Sequence, residues 1–260
     1  MSFYEDLIEI RRKKPLVHHI TNFVVMNDSA NITLALGASP IMAHAIDELE
    51  DLIKIASVLY INIGTLDPLW IQSMKMAGKM AEKYNVPVLL DPVGAGASKL
   101  RTETVFSLLE NFPVSILKGN GGEMLALSGR EGGVKGVDSL VNADINVADN
   151  LAERYNLTAV ITGKIDIISD GKKRALVENG SELFQYITGS GCMVGSVISS
   201  FLGVLRDPFK ASVDGLVTFN IAGELAEKKS NGPGSFRQIL MDEIYNMNEE
   251  KYKFARVKYL

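Results

Sequence analysis

Short apolar runs rich in β-branched residues alternate along the chain with longer stretches whose apolar positions recur at spacings of three and four. The runs "SVLYINIG" (57–64), "VPVLLDPVG" (86–94), "VSILKGN" (114–120) and "LTAVITG" (157–163) are apolar on both faces and end in Gly, Pro or Asn. That pattern predicts central strands of a parallel sheet, covered on both sides. Between them, 67–85, 102–112, 122–129 and 142–156 carry the helical period, and several open on Asp, Thr or Asn, which are natural N-caps. "IDIISDGKKRALVENG" (165–180) alternates around Asp170-Gly171, which predicts an antiparallel hairpin at the sheet edge. Beyond it, 191–205, 209–229 and 235–248 are helical in pattern, and the N-terminal stretch reads as an amphipathic helix rather than a signal peptide. No repeat, low-complexity tract or linker interrupts the series. The expectation is one α/β domain over residues 1–260, doubly wound, with a mostly parallel central sheet and helices on both faces.

Composition narrows the function classes. The chain has 260 residues, 47% of them hydrophobic, enough for a full-sized core. A net charge of −4 leaves no basic footprint for nucleic acid. The longest apolar stretch, 192–205, is too short and too rich in Gly and Ser to span a bilayer, so no membrane partner is expected. A single cysteine cannot form an internal disulfide, and no cluster shows zinc-ligand spacing, which makes the cytoplasm the simplest compartment. His18, His19 and His44 are not spaced as a metal set, and "RRKK" (11–14) reads as a solvated face.

In a doubly wound sheet ligands bind beyond the carboxyl ends of the strands. There this chain places "HHITN", "NIGT", "DPVGAG", "KGNGGE", "TGKID" and "TGSGC". In the last of these, Gly189 and Gly191 let backbone N–H groups converge at the start of a helix, whose dipole adds positive potential. The turn suits the charge of a phosphoryl group in transfer. Cys192 sits in it, where a helix start predicts a lowered thiol pKa. The alternative is a packed turn holding a small buried cysteine. Asp91 in "DPVGAG" can hold Mg²⁺ or its waters near a triphosphate, or simply begin an Asp-Pro turn.

These motifs resemble those of the hydroxyethylthiazole kinase family, the thiamine-salvage branch of the ribokinase-like superfamily. "TGSGC" matches the superfamily's Gly-x-Gly anion-hole turn, with Cys192 where most members carry Asp. "HHITNFVVMNDSANITLALGASPIMAHAIDEL", "INIGTLDPLWIQSMKMAGKMAEKYNVPVLLDPVGAGASKLRTET" and "LKGNGGEML" extend the likeness from about residue 15 to about residue 230. The resemblance implies a fold of that type and transfer of the ATP γ-phosphoryl group to the primary alcohol of 4-methyl-5-(2-hydroxyethyl)thiazole. It implies Mg²⁺ as cofactor, organised by Asp91 and by an Asn-x-x-Glu element at Asn120 and Glu123; Glu123 alone could equally fill the first turn of a helix. It implies ATP contacts at Lys118, where the family usually has Arg, and at Thr162. "HITNFVVMN" becomes a wall of the acceptor pocket, with Asn22 reading a heterocycle nitrogen and Met42 and Gly189 lining the substrate. Otherwise Asn22 caps a helix from 23 and Met42 is core. A homotrimer with active sites shared between neighbouring subunits is implied as well, so the 15–45 region and the 189–192 turn of one site need not come from one chain.

Phosphoryl transfer runs through a loose transition state, so positioning and charge stabilisation outweigh a strong base. Cys192 is expected to act as a late proton acceptor, and Val at Gly189 or Gly191 to block the anion hole with the fold intact. The competing functions are another small-alcohol kinase of the superfamily, on a pyrimidine, a pyridoxal or a sugar, and an ATP-dependent dehydratase acting on hydrated nicotinamide cofactors. A dinucleotide-binding dehydrogenase lacks its G-x-G-x-x-G after an early strand. A non-catalytic nucleotide sensor does not explain Asp91, Glu123 and Cys192 together.

Overall fold

The computed structural model describes residues 2–129 and 137–260. Its centre is a nine-stranded sheet in the order β2-β1-β3-β4-β5-β6-β7-β8-β9. The strands are β1 (Leu16–Ile20), β2 (Ser39–Met42), β3 (Val58–Asn62), β4 (Val88–Asp91), β5 (Ile116–Asn120), β6 (Thr158–Thr162), β7 (Asp166–Ser169), β8 (Arg174–Val177) and β9 (Val257–Tyr259). From β2 to β6 every pairing is parallel; β7, β8 and β9 continue antiparallel.

The helices divide between the two faces because each strand points alternate side chains to opposite sides. Val58 and Tyr60 face the core under α1 (Phe3–Lys13), α2 (Met26–Leu36), α8 (Ser190–Leu205), α9 (Pro208–Glu227) and α10 (Pro233–Tyr245). Leu59 and Ile61 face a second core under α3 (Leu49–Ile55), α4 (Pro68–Lys83), α5 (Lys99–Asn111), α6 (Gly121–Ser128) and α7 (Val137–Tyr155). The doubly wound architecture follows from the sequence pattern. Local signals set several helix starts. Asp67 accepts from the N–H groups of Leu69 and Trp70 ahead of Pro68, and Ser2 with Glu5 forms a capping box on α1. Among the described residues, no helix is long and apolar enough to cross a membrane.

Five features differ from expectation. β1 carries two histidines and β2 is only partly buried, so neither reads as an unbroken apolar run. α7 covers Val137–Tyr155, so position 142 lies inside it, and α5 is capped by Ser98 rather than by Thr102. The 165–180 hairpin is not the edge, because the C-terminal tail folds into α11 (Glu249–Tyr252) and then β9, which pairs outside β8. Finally, "RRKK" is not uniformly solvated. Arg11 donates to the carbonyls of Ile244, Tyr245 and Met247 and so caps the C-terminal end of α10, where a cation suits the dipole.

Candidate active site

A bowl of about 910 Å³ opens over the carboxyl ends of β4, β5 and β6 and is walled by the start of α8, by α9 and by residues 178–185. That size suits a nucleotide-sized ligand. Four of the six strand-end motifs supply lining residues: Asp91, then Lys118, Asn120 and Glu123, then Thr162 and Asp166, then Gly189, Gly191 and Cys192. The ends of β1 and β3 do not line it, yet they reach it through buried hydrogen bonds.

The floor is a network around Asp91, which is 1% exposed. Its Oδ2 accepts from Lys118 Nζ at 2.8 Å, Tyr60 Oη at 2.9 Å and Asn62 Nδ2 at 3.2 Å. Burial pushes the Asp91 carboxyl above its ordinary range, against the pull of Lys118. Burial also works against the Lys118 charge, but Asp91 and then Cys192 outweigh it and hold the ammonium above its usual pKa. Lys118 is therefore a fixed, buried cation. It also donates to the Gly191 carbonyl at 2.8 Å, and the single Tyr60 hydroxyl proton is shared between Asp91 and the Cys192 carbonyl, 3.0 Å away. The start of α8 is thus pinned to the sheet from below. Gly195 permits this, since a Cβ there would lie 2.4 Å from Tyr60 Oη.

At the mouth of that helix the first N–H groups have no partner within it, and Gly189, the residue preceding α8, brings no capping side chain. The amides around Gly191 are therefore free to donate to an anion at that end of the bowl. Gly189 has φ +84°, and a Cβ on it would lie 2.2 Å from Val25 Cγ1. Gly191 is free of such crowding: its nearest neighbour would be Lys118 Nζ at 3.7 Å. Of the two, only Gly191 has room for a Cβ, so the expectation of an intact fold fails for Gly189.

Cys192 is 7% exposed, and its sulfur accepts from Asn62 Nδ2 at 3.2 Å and from Asn22 Nδ2 at 3.6 Å. Burial, then the Asp91 charge, pushes the thiol up to about 11, and Lys118 and the two amides offset this only in part. The expected lowering at the helix start is overturned: burial and the neighbouring Asp91 charge disfavour the thiolate. Asn22 is fully engaged. Its Oδ1 accepts from the N–H groups of Val24 and Val25, closing the turn before α2, and its Nδ2 also donates to Asn62 at 2.7 Å. Asn22, Val25, Gly189 and Cys192 thus meet within one chain. Met42, at the end of β2, stands apart from the bowl lining.

Glu123 places one carboxylate oxygen on the Asn120 N–H and the other on the Gly94 N–H, each at 2.8 Å, so it joins the loops after β4 and β5. Asn120 returns the bond to the Glu123 N–H, completing a capping box on α6. Thr162 donates to the Gly119 carbonyl at 3.3 Å from the lip of the bowl. His19 is held neutral by burial, which lowers its pKa to about 3. His44 stacks on Trp70 at 3.9 Å, outside the bowl.

Tyr60, Asn62, Asp166 and Asn220 were not among the expected site residues. The signal for the first two was present: they are polar positions in an otherwise apolar run, and Asn62 pairs in register with Asp91. Asp166 accepts from the Gly163 N–H at 2.9 Å and from Asn220 Nδ2 at 2.6 Å, and burial raises its carboxyl to about 6.

The family model described as the hydroxyethylthiazole kinase family matches residues 7–250. The hydroxyethylthiazole kinase of Caldivirga maquilingensis is 60% identical over 99% of this chain and 97% of its own length. The solved structure of a hydroxyethylthiazole kinase protein from Pyrococcus horikoshii OT3 superposes with a TM-score of 0.93 at 45% identity, covering 99% of this chain and 98% of that one. A ribokinase-like superfamily protein of Enterococcus faecalis V583 shares the fold, with a TM-score of 0.68 at 14% identity over 97% and 95% of the two chains.

Proposed function

The chain belongs to the hydroxyethylthiazole kinase family, a phosphotransferase that uses ATP on the alcohol of a hydroxyethylthiazole, and we propose that the bowl is where this transfer takes place. The carrying observation is the α8 start, its amides opening into the bowl beside the buried cation Lys118. ATP lies along the carboxyl edge of the sheet with its phosphates toward Gly189, Gly191 and Cys192, flanked by Lys118 and Thr162. Lys118 acts as a fixed charge beneath the anion hole. Since its Nζ already bonds Asp91 and Gly191, it contributes field and positioning rather than the two-pronged grip of an arginine.

Asp91 and Glu123 fit Mg²⁺. Among the described residues every donor to Asp91 bonds Oδ2 and leaves Oδ1 without a hydrogen-bond donor, Glu123 keeps lone pairs on both oxygens, and both residues line the bowl. No group of three metal-ligating side chains occurs among the described residues, as suits an ion held by one or two carboxylates, substrate phosphates and water. Bound there, the ion would neutralise charge on the β- and γ-phosphates.

The thiazole alcohol approaches from the Asn22, Met42 and Gly189 side. Asn22 acts there by fixing the thiol and the turn before α2. Cys192 at rest is a neutral thiol, so it must give up its own proton to solvent before the resulting thiolate takes the alcohol proton, which turns acidic as oxygen bonds to phosphorus. The assembly is a homotrimer with shared sites, in the cytoplasm. Phe23, Val24 and Leu69 support the assembly, being 63%, 62% and 68% exposed next to the acceptor wall. A neighbouring subunit would complete the Met42 side, and sedimentation with dilution assays would detect the trimer. The dehydratase alternative gains nothing from the site. Incubation with MgATP and a panel of heterocyclic alcohols should yield a phosphorylated thiazole by mass. Gly191→Val should lower turnover roughly 10²–10³-fold, the loss for one anion-hole donor, at unchanged melting temperature. A mild loss would remove the anion hole from the mechanism.

A further inference from the structure

The far rim of the bowl, residues 178–182, is held by α9 and by the segment just before β9. Asn179 is 2% exposed, and every polar atom of its side chain is engaged. Its Nδ2 donates to both Glu224 carboxylate oxygens at 3.2 Å and to the Phe254 carbonyl at 2.9 Å, and its Oδ1 accepts from the Arg256 N–H at 2.7 Å. Glu224, on α9, also accepts from the Gly180 N–H at 3.0 Å and from Arg256 Nη2 at 2.5 Å. Arg256 Nη2 donates to the Glu178 carbonyl at 2.9 Å, and the Glu178 N–H donates to the Arg256 carbonyl at 2.9 Å. Three consecutive rim residues are therefore tied to α9 and to the chain just before β9. The same rim residues, with Glu182, line the bowl.

We infer that Asn179, Glu224 and Arg256 form a clamp through which the C-terminal segment sets the affinity of the bowl for nucleotide. The inference rests on the bowl being the nucleotide site. Its ends differ in what they offer. The α8 amides, Lys118 and the carboxylates that fit Mg²⁺, Asp91 and Glu123, stand at one end, and Glu178 and Glu182 line the clamped rim. Phosphates belong at the first end, so the clamped rim meets the nucleoside half. Glu224 and Arg256 do not line the bowl and act only through the rim, which makes them positioning residues. Loosening a rim that is otherwise held in its binding conformation reduces the competent fraction, and apparent affinity falls by that fraction.

The test is Arg256→Met, a change at a half-exposed side chain that retains the backbone bonds to Asn179 and Glu178. Calorimetry with ADP should show roughly fivefold weaker binding, with kcat at saturating ATP and KM for the thiazole alcohol unchanged. Glu224→Gln, which keeps the shape and one acceptor oxygen, should move the same constant in the same direction by less. An unchanged ADP affinity with only a lower melting temperature would make the cluster structural and overturn the inference. So would a parallel rise in both substrate constants. Gly191→Val, measured alongside, separates the premises: if it leaves ADP binding intact the bowl is not the nucleotide site, and if it weakens ADP while Arg256→Met does not, only the clamp is wrong.

Discussion

Replacing Lys118 by Met separates what the buried ion pair does for stability from what it does for transfer. Lys118 and Asp91 are 2% and 1% exposed, and their 2.8 Å contact is the only salt bridge to Asp91 among the described residues. Removing one partner of a buried pair leaves an uncompensated charge and costs about 3–5 kcal/mol. Here Tyr60 and Asn62 still donate to Asp91 Oδ2, which places the cost near the lower bound, about 3 kcal/mol. For a chain of this size that corresponds to a fall of roughly 6–12 °C in melting temperature. Burial already pushes the Asp91 carboxyl upward, so the variant can escape part of the cost by protonating it. Its deficit relative to wild type should therefore shrink as pH is lowered. Lys118→Met with Asp91→Asn removes both charges and should recover much of the lost stability, while all these variants remain impaired as kinases. Thermal denaturation of the two single variants and the double variant, at neutral and mildly acidic pH, reads each term. A Lys118→Met protein as stable as wild type, or a double variant less stable than either single one, would refute a charge-compensated floor.

Two other outcomes follow from the bowl. Cys192→Asp should keep substantial kinase activity, because the Asn62 and Asn22 amides that donate to sulfur can donate to a carboxylate; a loss beyond about 10²-fold, the low end for a general base, would mean the thiol itself is required. Asp166→Asn should flatten the stability profile between about pH 4 and pH 6: the wild-type carboxyl is raised to about 6, so the stability it gives when protonated is lost as pH rises through that value. A melting curve with the same pH dependence in both proteins would show that Asp166 is not the group responsible.

The sheet was legible because its central strands are buried on both faces and therefore read as unbroken apolar runs, and the helices because their caps are written in single residues such as Asp67. The two edges were not. β2 is only partly buried along its whole length, and β9 lies outermost with Lys258 and Tyr259 exposed, so neither shows the apolar signature of an interior strand. Within the site, glycine turns and strand-end acids could be located from sequence because their backbone demands are local. The roles of Tyr60 and Asn62 depend on which element lies across from them. Register sets Asn62 beside Asp91, but only tertiary packing brings Cys192 over both, and no periodicity encodes that approach. Burial misled in the same way: a thiol at a helix start resembles an activated one until the walls around it are counted.

That correction changes how the transfer must work. The orientation of the Asn62 carboxamide is fixed, because the Gly64 N–H can only donate and lies 3.0 Å from Oδ1. Its NH₂ group must then face sulfur and Asp91, and Asn22 adds a second donor to the same sulfur. A sulfur that accepts from two amides holds its own proton away from them, and with the thiol pushed up to about 11 little thiolate exists at neutral pH. Cys192 therefore cannot draw a proton from the alcohol before attack begins. A loose transition state does not ask it to, since the alcohol oxygen becomes acidic only as it bonds to phosphorus. In the proposed transfer sulfur first releases its own proton to solvent, the same two amides stabilise the thiolate, and the thiolate then takes the alcohol proton; the group they cradle can be any small anion. In the proposed reaction the burden of rate therefore falls on the α8 amides and the cation beneath them, which are pinned to the sheet by Tyr60 and Asp91.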